Sequence, residues 1–163
     1  MSLSACQVLV MRAAAVVDGF NLYHGIASLP NSDRLKWLDL NALIRFFAPA
    51  EDYELVEVAY FSAYATWDRD KEHRHRAYVK ALEATGVRPF LNHFKKKDKR
   101  CSSCGSRIRL REEKESDIGI VTRLIELAAD DRADLFLVVS GDTDLRPGLR
   151  LFRRLFPDKS LRI

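Results

Sequence analysis

Apolar positions fall into two kinds of pattern that alternate along this chain. Short runs that are continuously apolar or alternate with polar residues predict β-strands, because each is bounded by polar or turn-forming residues. These runs occupy residues 13–17, 55–62, 87–94 and 135–139, and residues 159–163 resemble the beginning of a further strand.

Segments with apolar residues three and four positions apart predict the helices that connect these strands. Helices are expected from residue 21, near residues 38–47, over residues 68–85, from residue 116 and after the strand at 135–139. Asp39 and Ser116 are predicted N-caps, and Gly86 is predicted to end the third helix. The inner face of the last helix is predicted to consist of Leu149, Phe152 and Leu155.

Strands that alternate with helices predict an α/β fold with a mostly parallel sheet covered on both faces. The chain has 163 residues, enough for one sizeable core and too few for two ordinary domains. We therefore expect a single domain over residues 1–163, truncated at its C-terminal end. Residues 95–114 interrupt the alternation, and we predict a basic, cysteine-bearing loop or small hairpin there.

Four aspartates follow predicted strands or begin predicted helices. Asp18 follows the first strand, Asp142 and Asp144 follow the strand at 135–139, and Asp117 lies in the first turn of a helix. Ligands of parallel α/β sheets bind beyond the carboxyl ends of the strands. We therefore expect these four carboxylates to converge at one edge of the sheet.

Converging carboxylates repel one another, and a divalent cation relieves that repulsion. Oxygen ligands of this kind suit Mg²⁺ or Mn²⁺. Asn21 and Thr143 add neutral polar groups that can contact a phosphate or a water molecule. Each aspartate taken alone is more simply explained as a helix cap or a turn residue. The metal prediction therefore depends on their joint placement.

Three segments resemble, in the same order, the motifs of NYN domains. They are VVDGFNLY at residues 16–23, EKESDI at residues 113–118 and VSGDTDL at residues 139–145. The resemblance implies a PIN-like, three-layer α/β/α fold with a mostly parallel central sheet, and a metal-dependent ribonuclease. The implied site consists of Asp18, Asn21, Asp117, Asp142 and Asp144. The central motif departs from the family at Glu115 and Ser116, where glycine or threonine followed by a small residue is common.

Charge adds one local feature. Lys and Arg exceed Asp and Glu by 27 − 23 = 4, which only permits a polyanionic partner. The run KKKDKR at residues 95–100 could follow a phosphate backbone. Lys95, Lys96 and Lys97 are therefore candidate RNA contacts, as is Lys114, although solvated surface lysines are an equally good explanation for all of them.

Three cysteines are an odd number, which argues against a disulfide framework and favours a reducing, cytoplasmic location. Cys101 and Cys104 have the spacing of half a zinc site. Zinc within one chain, a site shared by a homodimer and a free thiol pair remain open. No apolar run approaches the roughly 20 residues of a membrane-spanning helix.

Two other functions fit parts of the pattern. The two-apart spacing of Asp142 and Asp144 is typical of phosphatases with an aspartate nucleophile, but such enzymes carry the pair after the first strand, where Asp18 stands without a second acid. A non-catalytic RNA-binding adaptor with a vestigial acidic site is the other alternative. Six aromatic residues flank the expected site and could stack on bases, although several belong in the core: Phe20, Tyr23, Tyr60, Phe61, Tyr64 and Trp67.

Overall fold

The computed structural model describes residues 10–100 and 103–163. The strands are β1 (Met11–Asp18), β2 (Tyr53–Ala63), β3 (Arg88–Arg100), β4 (Arg107–Lys114), β5 (Leu135–Val139) and β6 (Ser160–Arg162). The helices are α1 (Gly19–Ala27), α2 (Leu40–Phe47), α3 (Arg69–Ala84), α4 (Ser116–Ala129) and α5 (Arg146–Leu155), with 3₁₀ helices at Ser32–Trp37 and Thr143–Leu145.

The six strands form one sheet in the order β4-β3-β2-β1-β5-β6. β1 pairs in parallel with both β2 and β5, and β3 and β6 continue the parallel arrangement on either side. Only β4 is antiparallel to its neighbour. The predicted α/β fold with a mostly parallel sheet is therefore confirmed.

Helices cover both faces of the sheet and divide the core into two layers. One layer packs α1, α2 and α3 against side chains such as Val17 and Tyr60. The other packs α4 and α5 against side chains such as Val16 and Phe61. Consecutive strand residues point to opposite faces, so Tyr60 and Phe61 lie in different layers. In α5, Leu149 and Phe152 are buried as predicted, whereas Leu155 at the helix end is 51% exposed.

The helix ends follow local rules with one exception. Asp39 accepts hydrogen bonds from the backbone N–H groups of Asn41 and Ala42, as expected of an N-cap. Gly86 follows α3 with a φ of 84°, a left-handed conformation that glycine adopts without strain. The prediction of Ser116 as an N-cap is wrong, because Ser116 is the first helical residue and its Oγ accepts a hydrogen bond from Asn92.

Within the segment 95–114, residues 95–100 and 107–114 form a β-ribbon rather than a loop. β3 pairs with β2 as far as Asn92, and from His93 to Arg100 its partner is β4. The prediction of a small hairpin is thus correct, and the alternative of a loop is wrong. The segment shows no apolar periodicity in the sequence, so the strand pattern could not identify it.

None of the helices within residues 10–100 and 103–163 is long and apolar enough to cross a membrane.

Candidate active site

Asp18 is the last residue of β1 and the most buried of the candidate site residues, with 6% of its surface exposed. Its Oδ1 accepts a hydrogen bond of 2.9 Å from the backbone N–H of Asn21, so Asp18 is also the N-cap of α1. Its Oδ2 accepts a second bond of 2.9 Å from the hydroxyl of Ser140. The carboxylate is therefore held in one orientation by the two elements that flank it.

The segment that follows β5 is tied to the end of β1. The backbone N–H of Gly141 donates to Oδ1 of Asn21 at 2.7 Å, and that of Asp142 donates to the Ser140 hydroxyl at 3.1 Å. Asp142 in turn caps the following 3₁₀ helix by accepting from the backbone N–H of Asp144 at 2.9 Å. These bonds fix the turn, while the side chains of Asp142 and Asp144 remain exposed.

Asp117 reaches the same place from the first turn of α4. The pKa of Asp117 is raised, first because neighbouring protein removes water from an otherwise exposed carboxylate and then because of the negative charges of Asp142, Asp18 and Asp144. Close approach of α4 to the sheet helps to place it, since a Cβ atom on Gly119 would lie 3.0 Å from the Phe61 ring. The four carboxylates therefore lie within electrostatic reach of one another.

The location follows from the topology of the sheet. The chain proceeds from β1 to β2 on one side, whereas β5 and β6 lie on the other, so the strand order reverses between β1 and β5. Loops leaving two such strands diverge and open a crevice at the carboxyl edge. The predicted convergence of Asp18, Asn21, Asp117, Asp142 and Asp144 is what the structure contains; their chemical roles remain predictions.

The donor set consists of hard oxygen ligands, which fits Mg²⁺ or Mn²⁺ better than a softer metal. Among residues 10–100 and 103–163, however, no three His, Cys, Asp or Glu side chains are close enough as they stand to hold one ion. Asp142 and Asp144 are exposed, although one carboxylate oxygen of Asp142 is engaged as the cap of the 3₁₀ helix. The residues therefore fit a divalent cation in the chemistry of their oxygen donors, while a coordination shell is not formed by the described side chains as they stand.

The other predicted contacts lie around this edge or on the ribbon. Thr143 is exposed and begins the 3₁₀ helix that follows Asp142. Lys95 and Lys97 are exposed on β3, where the alternation of a strand gives them the same face. Lys96 lies between them, and Lys114 ends β4 opposite His93, but the side chains of these two lysines lie outside the described part of the chain.

Of the two cysteines of the predicted zinc pair, Cys104 lies in the segment between β3 and β4. Cys101 is outside the described residues. Cys104 is an exposed thiol whose Sγ lies 2.9 Å from Oγ of Ser106. Zinc at this pair therefore stays a prediction.

The sequence-based prediction missed the role of Ser140. Its hydroxyl donates to Asp18 and accepts from the backbone N–H of Asp142, so it joins the ends of β1 and β5. The signal was available, because Ser140 directly follows a buried strand at the same edge as Asp18. The rule that selected Asp18 applies equally to Ser140.

The fold and this edge define the class: a doubly wound α/β domain with an acidic site at the switch point of its sheet. The family model of the NYN domain matches residues 12–155. The chain therefore belongs to the NYN domain family, whose members are generally nucleases.

A solved structure shows the same fold. This chain is similar to a protein of unknown function from Vibrio parahaemolyticus RIMD 2210633, with a TM-score of 0.61 and 21% sequence identity over 98% of this chain and 82% of that one. That similarity speaks for the fold alone. No curated protein matches the chain closely enough to count as a relative.

Proposed function

We propose that this NYN domain is a ribonuclease that hydrolyses RNA phosphodiester bonds with Mg²⁺ or Mn²⁺. The observation that carries the proposal is the gathering of Asp18, Asp117, Asp142 and Asp144 at the carboxyl edge of the sheet, with the pKa of Asp117 raised partly by the other three. None of the four forms an ion pair with a cationic side chain in the described part of the chain. A bound metal ion would neutralise part of their combined negative charge.

The four aspartates are the residues that would hold the cation. When bound, it would supply a Lewis acid for the phosphate and favour the deprotonation of an attacking water. Asp18 is the rigid member, because it is buried and bonded to Ser140 and to the start of α1. Asp142 and Asp144 carry negative charge on the exposed side of this edge.

Two neutral side chains would orient the RNA. Oδ1 of Asn21 already accepts from Gly141, so its Nδ2 amide group is the part that can donate to a phosphate oxygen. The hydroxyl of Thr143 is exposed between the two turn aspartates and can donate in the same way. Neither group adds negative charge, which suits contact with a phosphate anion.

Asp142→Asn tests the catalytic assignment directly. Asparagine caps helices as well as aspartate does, so the bond to the N–H of Asp144 can be kept while one charge is removed. We expect cleavage of labelled RNA to fall at least about 100-fold in Mn²⁺, with an unchanged melting temperature. RNA affinity should be equal or higher, because a repulsive charge is removed.

Asp158→Asn is a matched control, because Asp158 is an exposed aspartate 4.0 Å from Lys159, at the start of β6 and thus at the opposite edge of the sheet. It should cut RNA at the wild-type rate. A stable Asp142→Asn protein that cuts at the wild-type rate would refute the assignment. Absence of cleavage and of Mn²⁺ binding in the wild type would favour the non-catalytic adaptor, and a covalent phosphoenzyme trapped with a metallofluoride would favour the phosphatase.

The lysines of the ribbon are proposed to supply affinity rather than chemistry. Lys95 and Lys97 are exposed and lie on a strand that extends beyond the pairing of β3 with β2. Replacing Lys95, Lys96 and Lys97 by Gln should weaken binding to single-stranded RNA. The slope of log affinity against log salt should become shallower by about 0.7 for each phosphate that the protein no longer neutralises. An unchanged slope would make these lysines ordinary solvated surface.

Zinc at Cys101 and Cys104 is a separate proposal. A single pair supplies two of the four ligands of a structural site, so the remaining two would come from a second chain of a homodimer. Zinc content and molar mass should then fall together in Cys104→Ser. A zinc-free wild-type monomer would leave a simple thiol pair.

A further inference from the structure

A cavity of about 650 Å³ lies next to the acidic site. Its walls come from α1 and the Ser32–Trp37 helix on one side and from α3 on the other, and its floor is the carboxyl end of β2. It belongs to the layer of the core that contains Tyr60, not to the layer under α4. The volume lies within the range of about 300–1,000 Å³ that is usual for ligand sites.

Aromatic rings dominate the lining, and several remain partly open to solvent. Trp37 packs edge-to-face on Tyr78 at 5.8 Å between ring centroids, and Trp67 packs in the same way on Phe94 at 4.8 Å. The exposed fractions are 55% for Trp37, 42% for Trp67 and 39% for Phe20. Partly exposed rings in the lining of a cavity can contact a further flat group.

The charged side chains of the lining favour an anionic ligand. They are Lys36, Lys71 and Arg74 against the single carboxylate of Asp33. Lys36 is bonded to Asp33 at 2.6 Å and Lys71 lies 3.3 Å from Asp68, so both charges are partly balanced, whereas Arg74 is exposed on α3. A lining with aromatic faces and an excess of cations suits a nucleotide, which combines a flat apolar base with a phosphate.

The cavity and the acidic site share one short segment of backbone. Gly19 and Phe20 line the cavity and directly follow Asp18. A Cβ atom on Gly19 would lie 2.3 Å from the Tyr60 ring, so the glycine allows α1 to start directly against the cavity floor. Asp18 pairs with Phe61 in the sheet, and the neighbours of Phe61 on β2, Tyr60 and Ser62, line the cavity, so the two sites adjoin across the β1–β2 pair.

We propose that this cavity holds an unpaired base of single-stranded RNA while the adjoining phosphate lies at the aspartates. The proposal rests on the proposed ribonuclease function and adds the class of substrate, an unpaired strand. Ser62 and His75 are polar side chains in the lining that can contact the edge of a base. A duplex keeps its bases stacked inside, so it cannot fill the cavity without unpairing.

The chain offers a direct signal for occupancy. It contains two tryptophans, and both line the cavity. Intrinsic tryptophan fluorescence therefore reports on this cavity without a label. Wild-type protein in EDTA, which prevents cleavage, should be titrated with a ten-nucleotide single-stranded RNA, with an abasic ribose-phosphate strand of equal length and with a blunt RNA duplex. We expect strong quenching by the first and little by the other two.

Variants separate stacking from general charge. Trp67→Ala should weaken binding of the single strand at least about fivefold, in line with the usual cost of losing a stacked base, and Trp67→Phe should restore most of it. Phe46→Ala is the matched control, because Phe46 on α2 is 80% exposed and is not part of the cavity lining. The melting temperature of each variant identifies any loss through misfolding.

Equal quenching by the abasic strand would overturn the proposal, as would single-strand affinity that is unchanged in both Trp67→Ala and a Trp37→Ala protein. Self-association abolished by Trp37→Ala would also overturn it, because a second chain would then cover the cavity.

The two proposals can fail separately. Base-dependent quenching without any cleavage would reject the ribonuclease and keep the cavity, whereas Asp142-dependent cleavage without base-dependent quenching would do the reverse.

Discussion

Aspartates stand at both edges of the sheet, and their surroundings are opposite. At the amino edge, Asp134 precedes β5 and forms an ion pair of 2.9 Å with Arg12 at the start of β1. Arg12 lowers the pKa of Asp134 to about 2. At the carboxyl edge the pKa of Asp117 is raised, by loss of water and by three other carboxylates. The charged form of an aspartate is thus stabilised at the amino edge, at Asp134, and destabilised at the carboxyl edge, at Asp117.

The contrast in pKa separates carboxylates that form structural ion pairs from carboxylates that are available to a ligand. Lys159 adds a second cation at the amino edge, where it contacts Asp131 and lies 3.6 Å from Asp134. These pairs join the starts of β1, β5 and β6 and balance their own charge. The carboxyl edge has no such balance among the described side chains, so its charge is available for a ligand. Uncompensated charge of this kind is typical of functional sites.

The largest expected difference between the two edges is in the rate of RNA cleavage. Asp117→Asn removes one candidate ligand, and we expect the rate of RNA cleavage in Mg²⁺ to fall at least about 100-fold. Asp134→Asn changes a carboxylate at the opposite edge, and its rate should stay within about twofold of the wild type. Single-turnover cleavage of a labelled single strand measures both. Equal losses in the two variants would mean that the comparison reflects stability rather than chemistry.

The next largest expected difference between the two edges is in how much a bound metal ion raises the melting temperature. A ligand at 100 times its dissociation constant stabilises the folded state by about 2.7 kcal/mol, which is roughly 5–11 °C in melting temperature for a chain of this size. We expect such a shift with Mn²⁺ and with Mg²⁺ in the wild type and in Asp134→Asn, reversed by EDTA.

Asp142→Asn should lose most of this shift. Mg²⁺ is the more informative ion, because the thiol of Cys104 and the imidazoles have little affinity for it. A shift of the same size in Asp142→Asn and in the wild type would place the bound ion elsewhere and remove the main support for a catalytic carboxyl edge.

The sequence predicted the carboxyl edge well because the rules that place it are local. A short apolar run predicted β5 at residues 135–139, which are its bounds in the structure. Parallel strands then deliver Asp18 and Asp142 to one edge whatever the details of packing. Asp18 proved to be an N-cap as well as a member of the cluster, so the two explanations of that residue are compatible.

The features that were missed depend on contacts between distant segments. Trp37 lies in a 3₁₀ helix with no apolar periodicity, and only its packing on Tyr78 of α3 makes it part of a cavity. Ser116 was given the wrong position because Glu115 adopts a left-handed conformation before α4, which no capping rule anticipates. The β-ribbon was uncertain for a similar reason, since exposed strands need no pattern of buried residues.

The acid sensitivity of the amino edge gives a smaller effect. Because the pKa of Asp134 in the folded state is about 2, below its ordinary 3.8, its contribution to stability is complete above pH 4 and is lost as the pH falls toward 2. Asp134→Asn should therefore lower the free energy of unfolding at pH 7 by about 1 kcal/mol, since the pair is partly exposed. Urea denaturation between pH 3 and pH 7 should show the two proteins converging in acid, and a constant difference would contradict the role of the ion pair.

The smallest effect should have the opposite sign and arise at the carboxyl edge. A raised pKa means that folding disfavours the charged form of Asp117, so wild-type stability falls as the pH rises through that pKa. In EDTA, Asp117→Asn should therefore be slightly more stable than the wild type at pH 7, by less than about 1 kcal/mol because the carboxylate is exposed. The advantage should disappear as the pH falls below the ordinary carboxyl pKa of 3.8. Adding Mg²⁺ should make the wild type the more stable of the two proteins, because only the wild type keeps all four candidate carboxylate ligands.

An Asp117→Asn protein that is less stable than the wild type in EDTA at pH 7 would show that Asp117 supports the helix start of α4. The contrast between the edges would then not extend to this residue.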